Sequence, residues 1–261
     1  MKRNNRPSPV IWVIAKNTYR ELIRERLLYG VFLIAALVTA LSFFLSTVSL
    51  GENQRIMHNI GLATIHLFVL FIMIFVTTNS ISKDLERRTV YFLFPKPITR
   101  GQYVLGKFSG LLLLLLTTLG ILGGLFLLGV FATDKSLISA ALINLGYSFV
   151  EISLLIAFAQ LFASFTAPLN ASLYSIALYI IGHSLTFLKE YLASAGNHFT
   201  LGLVNFCYYF LPNLEKFDVR AATLYGIPLP TSQVLWSLFY AVIYTGILLF
   251  LTTQVIRKRE F

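Results

Sequence analysis

The sequence predicts an all-α integral membrane protein: six transmembrane helices, an N-terminal amphipathic helix in the headgroup layer, and a short cytoplasmic helix between the second and third spans. Three observations carry this expectation. Of the 261 residues, 57% are hydrophobic and 12% charged, about half the charged share of a soluble chain. Apolar runs recur with almost no charge inside them, each about as long as the ~18–20 residues needed to cross ~30 Å of hydrocarbon. The net charge of +10 comes from Lys and Arg gathered in alternate connections between those runs, the distribution that sets membrane orientation. Nucleic acid is not needed to explain it.

The opening residues MKRNNRPSP are polar and basic, with no small-residue cleavage site behind a compact apolar core, so insertion is expected from the spans themselves. Across 10–27, Trp12, Ala15, Tyr19, Leu22 and Leu27 recur at helical spacing while Lys16, Arg20 and Arg24 take another face. That pattern suits a helix lying in the membrane surface. The spans follow at 28–47, 60–79, 109–131, 138–163, 171–188 and 233–255. Only SFTAPLNA divides the fourth from the fifth.

With the N-terminus inside, sixteen of the 21 Lys and Arg fall in inner segments, and five (Arg55, Lys135, Lys189, Lys216, Arg220) in outer ones. Acidic residues outside the spans divide evenly. Both termini are therefore expected in the cytoplasm, across a membrane of the bacterial inner type. One cysteine, Cys207, leaves no internal disulfide and no Cys-based metal cluster. The chain reads as a single domain over 1–261, with segments 80–108 and 189–232 outside the spans.

The inner segment SISKDLERRTVYFLFPKPITRGQYVLGKFSG has a legible layout. Ser82 is placed to cap a helix whose first turn holds Asp84 and Glu86, where carboxylates favour the positive end of the helix dipole. That helix would carry Arg87 and Thr89 and stop at Phe94, because Pro95 lacks an amide proton and disfavours helical geometry before it. Pro97 keeps the connection extended. Thr99 followed by Gln102 is a capping box, so the next helix should begin at Arg100 and run into the third span.

This segment resembles that of the permease subunits of the ABC-2-type superfamily. Asp84, Glu86, Thr89, Pro97, Ile98, Thr99, Arg100, Gly106 and Lys107 match the family's run: an acidic residue, E-x-G-T, a short apolar stretch, P-[IV]-[ST]-R and a later G-K. Arg88 stands where the family has glycine. The resemblance covers the whole chain. It implies a permease that pairs as a dimer, with itself or a similar subunit, to form an export pathway. Each copy would rest on a separate ATPase, two copies in all, through a coupling helix. Asp84, Glu86, Arg87, Thr89, Phe94, Pro95, Pro97 and Arg100 would make that contact. The chain has no G-x-x-x-x-G-K-[ST], so this chain would bind no cofactor, and ATP and Mg²⁺ would sit on the partner.

Glu151 falls near the middle of the fourth span, where a carboxylate is expensive. It would either face a cavity, touching a polar substrate group or a proton, or hydrogen-bond a neighbour such as Ser148 or Ser153. His66 and His183 read as too scattered for a metal site. Gly120 and Gly124 form a G-x-x-x-G that would permit close helix approach. In the outer segment, the resemblance makes Phe206, Tyr208, Tyr209 and Phe210 the rim of an outer gate, ended by Pro212, and Thr231 or Ser232 would cap the last span. Other functions fit less well. A force-transmitting subunit would carry a larger outer domain. A proton-coupled carrier needs ionisable groups in several spans, where only Glu151 and two histidines qualify. A membrane enzyme would need a nucleophile and base that can be placed together.

Overall fold

A computed structural model describes residues 7–24, 53–86, 98–133, 135–195, 208 and 211–258. Its helices are α1 (Pro7–Leu22), α2 (Asn53–Glu86), α3 (Arg100–Thr133), α4 (Ile138–Ala163), α5 (Pro168–Ala195), the short α6 (Arg220–Leu224) and α7 (Thr231–Lys258). Turns of 3₁₀ helix lie at Lys135–Leu137 and Leu214–Phe217. Among the described residues there is no strand. Among the described residues, five helical stretches are long and apolar enough to cross a membrane: His58–Leu85, Arg100–Phe131, Lys135–Ala163, Pro168–Tyr191 and Thr231–Lys258. They correspond to the second to sixth expected spans; the first, 28–47, lies outside the described residues.

One expectation is corrected. Ser82 does not start a helix, because α2 runs unbroken from Asn53 to Glu86. The stretch 62–94 contains neither Gly nor Pro, so nothing interrupts the i to i−4 ladder at the end of the apolar run. The Ser82 hydroxyl is buried and makes no hydrogen bond among the described residues, which is not how a cap behaves. A smaller correction concerns Thr231. It is the first residue of α7, and the Pro230 carbonyl accepts the opening bonds from Gln233 and Val234.

The capping box at the head of α3 is present: the Thr99 amide donates to Gln102 Oε1 at 2.9 Å and the Gln102 amide to Thr99 Oγ1 at 3.3 Å. Pro168 opens α5, where its missing N–H would be unpaired in any case. The expected short fifth span becomes a helix of 28 residues.

The crossing helices alternate in direction. At one end, Asp84 of α2 meets Tyr103 and Lys107 of α3, Gln160 of α4 bonds Val104, Ser172 of α5 bonds Thr78 of α2, and Arg100 bonds the Ile256 carbonyl of α7. The other end gathers the segment 211–230, tied to α4 by Asn144 to Thr223 at 2.6 Å and to α5 by Asn213 to Thr186 at 3.1 Å. The core lies around α4, whose residues 154–160 are all buried, against Val69 and Met73 of α2 and Leu111 and Leu115 of α3. On α5 and α7, Ile180, Phe187, Trp236, Val242 and Phe250 stand exposed. Hydrocarbon is no worse a neighbour for them than protein.

The helix expected over 10–27 is described as α1, which lies along the start of α3. Ala15, Thr18 and Leu22 are buried against it, while Trp12 and Val13 are exposed. Gly106 and Gly110 make the approach possible. A β-carbon at Gly106 would come within 2.7 Å of Ile14, and one at Gly110 within 2.8 Å of the Ala15 carbonyl.

Candidate functional site

Asp84 lies in the last described turn of α2, where a carboxylate held away from bulk water needs partners. Two groups from α3 supply them. The Tyr103 hydroxyl donates to Asp84 Oδ2 at 2.7 Å, and the Lys107 ammonium lies 2.7 Å from the same oxygen. Lys107 also donates to Ser80 Oγ at 3.1 Å. The Tyr103 and Lys107 side chains are buried and Asp84 is nearly so. Removing one member of such a pair leaves a charge with no partner in a poorly solvated place, a loss of ~3–5 kcal/mol. The connection between α2 and α3 is thus clamped at its two feet.

The first turns of α3 are gripped from further sides. Arg100 Nη1 donates to the Ile256 carbonyl near the end of α7, a cation at a helix C-terminus. Gln160 Nε2 of α4 donates to the Val104 carbonyl at 3.1 Å, and α1 closes over Gly106 and Gly110. Between Arg100 and Gly110, α3 thus touches four other helices. Around this end stand exposed Lys16, Arg20, Arg24, Lys83, Arg257 and Lys258. Of the residues expected to contact an ATPase, Asp84 and Arg100 are in this joint and Glu86 is the last described residue of α2. Arg87, Thr89, Phe94, Pro95 and Pro97 lie outside the described residues. Lys107, which entered only as a motif match, is the ion-pair partner, and Tyr103 was missed. Its signal was its place one helical turn before Lys107.

The second polar group lies midway along α4. Glu151 is 3% exposed and takes neither Ser148 nor Ser153. Its Oε1 lies 2.7 Å from His183 Nε2 of α5 and 3.7 Å from His66 Nε2 of α2. His66 Nδ1 is 3.0 Å from Ser148 Oγ, and Ser153 bonds back to the Val150 carbonyl. The two histidines, distant in sequence, thus converge on one carboxylate. Among the described residues no group of three or more His, Cys, Asp or Glu is arranged to hold a metal ion.

Beside this group the segment 211–226 packs over α5. Gly182 lets it approach: a β-carbon there would be 2.7 Å from Leu214 and 3.0 Å from the Pro212 carbonyl. Asn213 caps the 3₁₀ turn through the Glu215 amide at 3.1 Å. Arg220 pairs with Asp218 through two side-chain hydrogen bonds of 2.8 and 2.7 Å. Burial alone would raise the Asp218 pKa, but the hydrogen bonds and charge of Arg220 outweigh it and hold it below the ordinary value. Arg220 is correspondingly raised, first by its bond to Asp218. Of the expected gate residues only Tyr208 is described, with the Lys189 ammonium 4.0 Å over its ring; Phe206, Tyr209 and Phe210 lie outside the described residues. Gly120 and Gly124 face open space. In this part of α3 the close approach is instead at Gly123, where a β-carbon would meet Leu145 of α4 at 2.8 Å.

The model of a family described as ABC-2 family transporter protein matches residues 12–193, from α1 almost to the end of α5. Comparison with curated proteins finds no match.

Proposed function

The chain belongs to the ABC-2 transporter family, and on that membership we propose that it is the membrane subunit of an exporter, working as a dimer and driven by a separate ATPase at the clamped end of α2 and α3. That it is an integral membrane permease of the ABC transporter type follows from the family and the five apolar helices. The finer reading rests chiefly on the Asp84, Tyr103 and Lys107 joint. A partner pressing on the connection between α2 and α3 would move both helices together, because their feet are joined by an ion pair and a hydrogen bond. Arg100 and the glycine contacts with α1 would carry the same displacement to α7 and α1.

In this reading the clamped end is cytoplasmic. The exposed basic residues around it suit an anionic inner leaflet and the rule that Lys and Arg stay inside. ATP and Mg²⁺ would be held by the ATPase, one copy beneath each permease. The segment 211–226 would close the pathway on the outer side, with Phe206, Tyr208, Tyr209 and Phe210 at its rim.

The test is the double change Glu86→Ala and Phe94→Ala in the coupling segment. Those side chains would supply a polar anchor and an aromatic plug, the kind of residue worth ~2 kcal/mol or more in an interface. The expected result is a variant that still inserts and pairs but loses ATPase co-purification or transport-linked hydrolysis in lipid. Full partner binding with full transport would reject the proposal.

A further inference from the structure

The export mechanism has no use for the group around Glu151, and such a group is too costly to be idle. An ionised carboxylate inside a membrane-crossing helix needs compensation. Glu151 receives it from two other helices, through His183 of α5 at 2.7 Å and His66 of α2 at 3.7 Å. Tyr179 stands edge-on to His183 with ring centroids 4.7 Å apart, and tilted to His66 at 6.1 Å. The further charges acting on His66 and Tyr179 are those of Arg220 and Asp218 on the segment that covers this end. The facing titratable groups are thus His66 from α2, His183 and Tyr179 from α5, and Asp218 and Arg220 from that segment.

The charge states follow from these neighbours. With both rings neutral and Glu151 ionised, the group carries one negative charge in a dry place. With both rings protonated it carries one positive charge, and Arg220 adds to the repulsion. With one proton shared among the three it is neutral, and the 2.7 Å contact becomes a charge-assisted bond. Only the singly protonated state avoids an uncompensated buried charge. His183 has a side chain 21% exposed, against 3% for Glu151 and 6% for His66, and is the least buried of the three.

We propose that Glu151, His183 and His66 form a binding site for one proton within the bundle, and that this proton fastens α5 to α2 and α4. A proton from water or buffer bonds to a ring nitrogen of His183, and the ion pair with Glu151 forms. When it returns to solvent, Glu151 is left anionic between two neutral rings and the contact between α4 and α5 loosens. Because Gly182 and Thr186 of α5 hold the segment 211–226 through Leu214 and Asn213, the proton sets the hold on that segment as well. The proposal stands apart from the export reading, since it requires no ATPase.

The test uses the full chain alone in lipid nanodiscs, with nitrogen-15 in its histidine rings, across a pH series. His66→Gln and His183→Gln assign the signals. The expected result is an imidazolium signal in the wild type, assigned to His183 or shared with His66, that is lost in Glu151→Gln. Backbone exchange over 179–187 should then rise roughly tenfold, and should rise likewise in the wild type at the pH where that signal disappears, after correction for the intrinsic rate. Should Glu151→Gln fail to fold, the wild-type series and His183→Gln decide the matter. Two neutral rings at every pH below that of free histidine would overturn the site. An imidazolium whose loss leaves exchange over 179–187 unchanged would overturn the fastening.

Discussion

Lys107 is buried with Asp84 within 2.7 Å and Ser80 within 3.1 Å. Replacing it by Met should destabilise the chain by about 3–5 kcal/mol, whereas changing Asp84→Asn as well should recover part of the loss, since no charge is then left unpaired. A double-mutant cycle of unfolding midpoints in detergent measures this, and a silent Lys107→Met would show that the joint contributes nothing. Asp218 gives a test in pH. Its folded pKa lies below the ordinary value, so its pair with Arg220 contributes fully above the unfolded carboxyl range and is lost as pH falls through the lowered folded value. The stability gap between wild type and Asp218→Asn should therefore close on acidification. It should also be small at its largest, because the pair is partly solvated.

At the scale of the element, the glycines of α3 separate into two kinds. Gly110 faces α1 at backbone distance, whereas Gly120 and Gly124 face open space within the protomer. Alanine gains ~1 kcal/mol of helix propensity over glycine wherever it has room. Gly124→Ala should hence keep or raise the stability of the isolated chain. Gly110→Ala must displace the Ala15 carbonyl and should free α1, seen as faster protease cleavage near residue 24. Equal protection in the two variants would mean that α1 does not depend on this contact. The same reasoning explains why α2 is still helical at Glu86: its described residues after Gly61 include neither Gly nor Pro, and Ser82 makes no cap bond.

For the whole molecule, the prediction is topological. The basic residues of α1, the α2 and α3 feet and the end of α7 lie at one end of the bundle, and Lys and Arg remain on the cytoplasmic side. Reporter fusions at Phe261 and at Asn197 should therefore report opposite compartments. A shared compartment would remove a span from the architecture.

The sequence alone determined the class of this protein, most of its spans and the family to which it belongs. Hydrocarbon length, the bias of Lys and Arg and a capping box are local signals, readable without knowing which helices touch. The beginning of α3 at Thr99 and Arg100 was legible for that reason, whereas Asp84, expected in the first turn of a new helix, lies late in α2. Only the tertiary structure decided what those residues do to one another. That Tyr103 and Lys107 answer Asp84, and that His66 and His183 meet on Glu151, depends on α2 lying beside α3 and on α4 lying beside α2 and α5. In a membrane chain every span is apolar all round, so periodicity carries little information about which face meets which neighbour. Packing of small residues and of the few buried polar groups settles that choice, and those contacts join residues 32 and 85 positions apart.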